Sequence, residues 1–138
     1  AHEINDGIVL FYRNVDFNTY GFLNATDDFI ENHPDLAQVV VDAYEKARAW
    51  ALENPQETSE LLAEVAGIEQ AVADKVQLER TVIDLDHVPG DAQLSVLEIV
   101  APIQVANGDI PTQEAADGAL AKLLNRTFAE KADASRVG

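Results

Sequence analysis

Apolar positions recur at helical spacing through most of this chain, and short polar groups containing proline or glycine interrupt them. The clearest case runs from Pro34 to Glu53, where Leu36, Val40, Ala43, Ala47 and Ala51, joined by Val39, Tyr44 and Trp50, form one broad apolar face. Asp42, Glu45 and Lys46 fall opposite, so the pattern predicts an amphipathic helix of about five turns with these three in water. Thr26 predicts the cap of a shorter helix through "DDFIENH", with Asp27 and Asp28 suited to its positive end and His33 closing it.

Punctuation predicts the remaining boundaries. Pro34 and Pro55 stand at first helical positions, where a missing N–H costs nothing. Asn54 and Glu57 read as a cap and its reciprocal partner, Leu61, Leu62 and Val65 as inward-facing, and Gly67 as a left-handed terminator. A helix follows from about Glu69 to Arg80 on Val72, Val76 and Leu78, then an extended stretch "TVIDLDHVPGD". Leu94, Leu97, Ile99 and Val100 predict another helix over 92–106, which Pro102 should kink or split. Gly108 ends it, Thr112 caps a last helix carrying Leu120, Leu123 and Leu124, and "KADASRVG" reads as a frayed tail. Two compact runs, "IVLFYR" at 8–13 and "YGFLN" at 20–24, read as strands joined by a polar loop. The helix pair at 34–66 has no second copy at the offset a tetratricopeptide array would need.

Composition narrows the function classes. With 138 residues, 47% of them hydrophobic, the chain can build one ordinary domain, which disfavours disorder. The longest unbroken apolar runs, such as the one that opens with Ile8 to Phe11, are far shorter than the stretch of about twenty residues that a membrane span needs. No basic and apolar leader opens the sequence, so any export signal is expected to have been removed or to lie outside it. A net charge of −16 opposes nucleic acid and anionic membrane surfaces as partners, because both present phosphate. The absence of cysteine excludes disulfides, thiolate metal sites and cysteine nucleophiles.

Candidate chemistry is sparse. His2, His33 and His87 are scattered, which favours structural or surface roles and predicts no metal site. Ser59, Ser95 and Ser135 lack a nucleophile-elbow context, and no glycine-rich phosphate loop exists. Among 25 acidic residues a carboxylate pair arises by chance, and so do the sequons at Asn24 and Asn125. The run Asn18, Thr19, Tyr20, beside Phe17 and Phe22, stands apart as a candidate small-ligand wall, since it joins aromatic surface to placed hydrogen-bonding groups. The structural alternative makes Tyr20 and Phe22 core residues and Asn18 and Thr19 a turn.

The order of these parts carries a resemblance. A strand ending in a small residue (Tyr20 to Ala25), "DF" at Asp28 and Phe29, "HP" at His33 and Pro34, a tryptophan at Trp50, and "NP.E" at Asn54, Pro55 and Glu57 are similar to the carboxyl-terminal half of the periplasmic substrate-binding proteins of nitrate, sulfonate, taurine and bicarbonate ABC transporters. "LER", "IVAPIQVANGDIP" and "LAKLLNRTFAEKA" resemble that family's closing helices, so the likeness spans about residues 7 to 132.

The resemblance implies a predominantly helical α/β fragment, the carboxyl-terminal part of a type II periplasmic-binding-protein fold with about two strands and five to six helices. Residues 1–25 would be hinge-crossing strands, 26–132 the helical part of the first lobe and 133–138 a tail. It implies a periplasmic or extracytoplasmic solute-binding component of an ABC importer, aliphatic sulfonate-like, without enzymatic activity or cofactor. A lipid anchor on the full-length protein stays open. The expected partners are a small anionic solute, the transporter permease and the amino-terminal half, with self-association of the fragment in its absence. Asn18, Thr19 and Tyr20 would meet ligand as hydrogen-bond donors. The alternative class is a self-contained acidic helical module that holds another protein.

Overall fold

A computed structural model describes residues 20–138. The described chain is predominantly helical: α1 (Asp27–Asn32), α2 (Pro34–Glu53), α3 (Pro55–Ala66), α4 (Gln70–Asp74), α5 (Asp91–Asn107) and α6 (Gln113–Leu123). Lys75–Arg80 continues α4 as a wider π-helical turn, and Ala129–Lys131 and Ala134–Arg136 are single 3-10 turns. No strand occurs among the described residues. Residues 20–24, expected as a strand, are irregular chain; the expected strand at 8–13 lies outside the described residues.

Local chemistry explains the boundaries. The Thr26 hydroxyl accepts the Phe29 N–H at 3.2 Å to cap α1, and Thr112 does the same for the Ala115 N–H of α6 at 3.1 Å. Pro34 and Pro55 open α2 and α3 as expected. Gly67 (φ 63°) ends α3 with the Ile68 N–H returning to the Ala63 carbonyl at 3.1 Å. Gly108 (φ 85°) ends α5 in the same way, through the Asp109 N–H and the Gln104 carbonyl at 3.0 Å. Both are left-handed closures that glycine adopts without steric cost.

Three expectations are corrected. Asn54 makes no side-chain cap; its amide turns back and donates to the Trp50 carbonyl at 2.8 Å. Pro102 neither splits α5 nor ends it. It and Glu98 lie on an exposed side, where water can take the carbonyl that proline leaves without a donor. The tail does not fray in isolation: Asp133 caps Ala134–Arg136 by accepting the Ser135 N–H at 2.9 Å, and the turn is tied to α2.

The chain divides into two units, with boundaries between Asn24 and Ala25, inside α2 between Ala43 and Tyr44, and between Leu85 and Asp86. In the unit Tyr44–Leu85, with residues 20–24, α3 packs on α4 and its π-helical continuation. Ser59, Val72 and Ala73 are its buried described residues. Arg48 there grips Glu45 through two bonds of 2.9 and 2.7 Å and donates to the Ile83 carbonyl at 3.2 Å, fastening the extended stretch after the π turn. In the unit Ala25–Ala43 with Asp86–Gly138, α5 packs on α6, and Ala37, Asp42, Ala101 and Ala116 are buried. Alanine at the buried points of both helices favours close axial approach.

The orientation of the apolar faces differs from expectation. Leu36, Val39, Tyr44 and Trp50 are exposed, while Asp42, expected in water, is buried. In α3, Leu61 and Val65 are exposed and Ser59 takes the inward position. Along the helix after Gly67, Val72 is buried but Val76 and Leu78 are exposed, since the π turn adds a residue per turn and breaks the 3.6-residue register.

Candidate functional site

Of the three residues singled out as ligand-binding, Asn18 and Thr19 lie outside the described residues. Tyr20 is half-buried, and its ring meets that of Phe22 at 6.5 Å between centroids with a 58° tilt. This is an edge-inclined aromatic pair in a single segment. Asn24 closes the segment locally by donating to the Phe22 carbonyl at 3.3 Å.

The described residues with the most constrained polar chemistry are two clusters, one around buried Asp42 and one around buried Ser59. In the first, one Asp42 carboxylate oxygen accepts from the Gln38 amide at 2.9 Å and from the Asp133 N–H at 2.9 Å. The other oxygen faces the Arg136 guanidinium at 3.3 Å. Gln38 also donates to the Phe128 carbonyl at 3.1 Å, and the Arg136 guanidinium to the Lys131 carbonyl at 3.0 Å. Burial pushes the Asp42 carboxyl up, but the Asp133 N–H, the Gln38 amide and Arg136 together outweigh it and hold the group below its ordinary value.

In the second cluster the Ser59 hydroxyl donates to Asp74 at 2.7 Å, and Gln70 donates to both Ser59 and Asp74, at 3.2 and 2.8 Å. Ser59 and Gln70 hold the Asp74 carboxyl below its ordinary value, Ser59 first; burial opposes them and Gln56 adds to them. Ser59 has no accessible surface and already gives its proton to a carboxylate, so it is a structural link between α3 and α4 rather than a nucleophile.

No three His, Asp or Glu side chains converge on a metal-sized site among the described residues. His33 lies against the Phe29 ring at 5.6 Å, and His87 Nε2 meets the Ala129 carbonyl at 3.1 Å, as its protonated nitrogen does in a hydrogen bond.

The remaining feature is apolar exposure. The buried hydrophobic residues among those described are four alanines and Val72, whereas Val65 is 79% exposed, Ile99 70% and Tyr44 63%, and Trp50, Leu61 and Ile103 are exposed as well. No described helix is long and apolar enough to cross a membrane.

The sequence reading missed Asp42 and Ser59. For Asp42 a signal existed in "QVVVDA": an acid beside three valines with a glutamine one turn earlier, a pairing that suits a buried, satisfied carboxylate. Ser59 carries no comparable signal. No family model, curated protein or solved structure matches the chain.

Proposed function

We propose that the chain is the carboxyl-terminal part of a solute-binding component of an ABC importer for small oxyanions, of the aliphatic sulfonate, taurine or nitrate class. It acts by binding, without bond chemistry, outside the cytoplasmic membrane. The observation that carries this reading is the exposure of the large apolar side chains. A helical assembly whose described buried hydrophobics are four alanines and one valine, with Val65, Ile99 and Tyr44 in water, has the surface of one part of a larger packed protein. A self-contained helical module calls for a core closed by its own large side chains, which the described residues lack.

The sequence resemblance supplies the identity of the larger protein, and the proline-opened helices α2 and α3 agree with it. In this reading Asn18, Thr19 and Tyr20 offer hydrogen bonds to ligand at the hinge crossing. The anion is held mainly by neutral donors and helix amino termini of the amino-terminal half. That half and a transporter permease are the proposed partners.

Sedimentation velocity tests the reading. The chain alone should self-associate through its apolar faces, and addition of the amino-terminal half should replace those species with a one-to-one complex. A compact monomer indifferent to that half would refute the proposal and favour the independent module.

A further inference from the structure

The segment from Phe128 to Arg136 is two 3-10 turns with no long helix of its own, so its attachment depends on what it touches. Four polar ties are made to elements distant in sequence. Gln38 donates to the Phe128 carbonyl, His87 meets the Ala129 carbonyl, the Asp133 N–H donates to Asp42, and Arg136 pairs with Asp42. Asp42 makes two of these directly and orients a third, because the same Gln38 amide nitrogen bonds Asp42 and Phe128. The carboxylate is 1% exposed, the lowest of any described charged residue, whereas Arg136 reaches it from a half-exposed position.

We propose that Asp42 is the latch of a carboxyl-terminal strap: its ionised carboxylate holds residues 128–136 on α2, and neutralising it frees that segment while the helices stay folded.

The physical basis is the donor set. Every group around the carboxylate donates: an amide NH2, a backbone N–H and a guanidinium. An acceptor-only group satisfies all three, and a protonated or amide group turns a competing donor toward partners that themselves donate. The charged groups facing Asp42 are Arg136, which favours its ionised form, and Asp133, which pairs with Arg136 at 3.5 Å and accepts both the N–H and the hydroxyl of Ser135. Lys131 contributes its carbonyl to Arg136. On α2 the nearest charged side chains along the sequence are Glu45 and Lys46, with the Tyr44 phenol nearer still.

The experiment is hydrogen exchange read by mass spectrometry on the full chain, wild type against Asp42→Asn, with Arg136→Gln as a milder second variant. In Asp42→Asn, peptides covering 128–136 should exchange about tenfold faster or more, while α3, α4 and α6 keep their protection. Arg136→Gln, which leaves the Asp133 N–H bonded to Asp42, should give the same pattern at smaller amplitude. Protection at 128–136 unchanged in both variants would overturn the latch. Faster exchange spread evenly over α5 and α6 would also overturn it, by making Asp42 a general support of the fold. If Asp42→Asn fails to fold, the wild-type chain in an acid titration decides: loss at 128–136 ahead of α5 and α6 supports the strap, and simultaneous loss refutes it.

Discussion

The same substitution, glycine to alanine, should have opposite signs ten residues apart in one unit. Gly108 ends α5 at φ 85°, ψ 9°, and Gly118 sits inside α6. A Cβ added at either meets no atom within 4 Å, so neither variant clashes and only backbone preference decides. At Gly108 alanine must enter the left-handed region, a cost of about 1–2 kcal/mol. A smaller unfolded-state gain of about 0.4–1 kcal/mol offsets it, leaving a net loss of roughly 1 kcal/mol. At Gly118 the helical backbone suits alanine, which gains about 0.5–1 kcal/mol. Urea denaturation and native-state exchange at α5 and α6 should therefore separate the two variants by about 1.5–2 kcal/mol, with wild type between them. Equal signs, or a stabilised Gly108→Ala, would refute the assignment of Gly108 as a left-handed closure.

Other outcomes follow from the same contacts. Ser59→Ala removes a fully buried hydroxyl and should destabilise the α3–α4 pairing by about 1.5–3 kcal/mol in thermal or urea melts, while Ser95→Ala, at an exposed hydroxyl, should stay within about 0.5 kcal/mol. Because the folded state depresses the Asp74 carboxyl, its contribution is full above the unfolded value of about 3.9 and fades as pH falls through the lower folded value. Ser59→Ala should shift the acid limb of the stability curve upward, as acid titration by circular dichroism would record. Val65→Lys and Ile99→Lys change exposed positions and should alter folding stability by less than about 0.5 kcal/mol, yet weaken self-association in sedimentation. Trp50, the only tryptophan, is 43% exposed, and under the proposed function its emission should move to shorter wavelength when the amino-terminal half is added.

Helix boundaries were legible because their causes lie within one turn. Thr26, Pro34, Pro55, Gly67, Gly108 and Thr112 act on neighbours no more than five residues away, so the local sequence holds the whole interaction. What the helices bury was legible only in part: Val72 follows the apolar pattern, and the glutamine one turn before Asp42 hints at its burial, but the distant partners do not show. Asp42 is inside because Asp133 and Arg136, more than 90 residues on, bring donors to it, and no amphipathic pattern reports a partner at that distance. The tail was read as frayed for the same reason. Pro102 misled in the other direction: its local cost was counted, but not the hydration available at an exposed carbonyl. The candidate ligand residues were legible only as an aromatic and polar run, of which the structure describes Tyr20, paired with Phe22.

The proposed role is that of one part of an oxyanion-binding protein. Isothermal titration calorimetry of the chain joined to its amino-terminal half, with ethanesulfonate, taurine and nitrate as titrants, tests it most directly. The expected result is one-to-one binding of at least one of these anions by the joined protein and none by the chain alone. A stable joined protein that binds none of the three would contradict it.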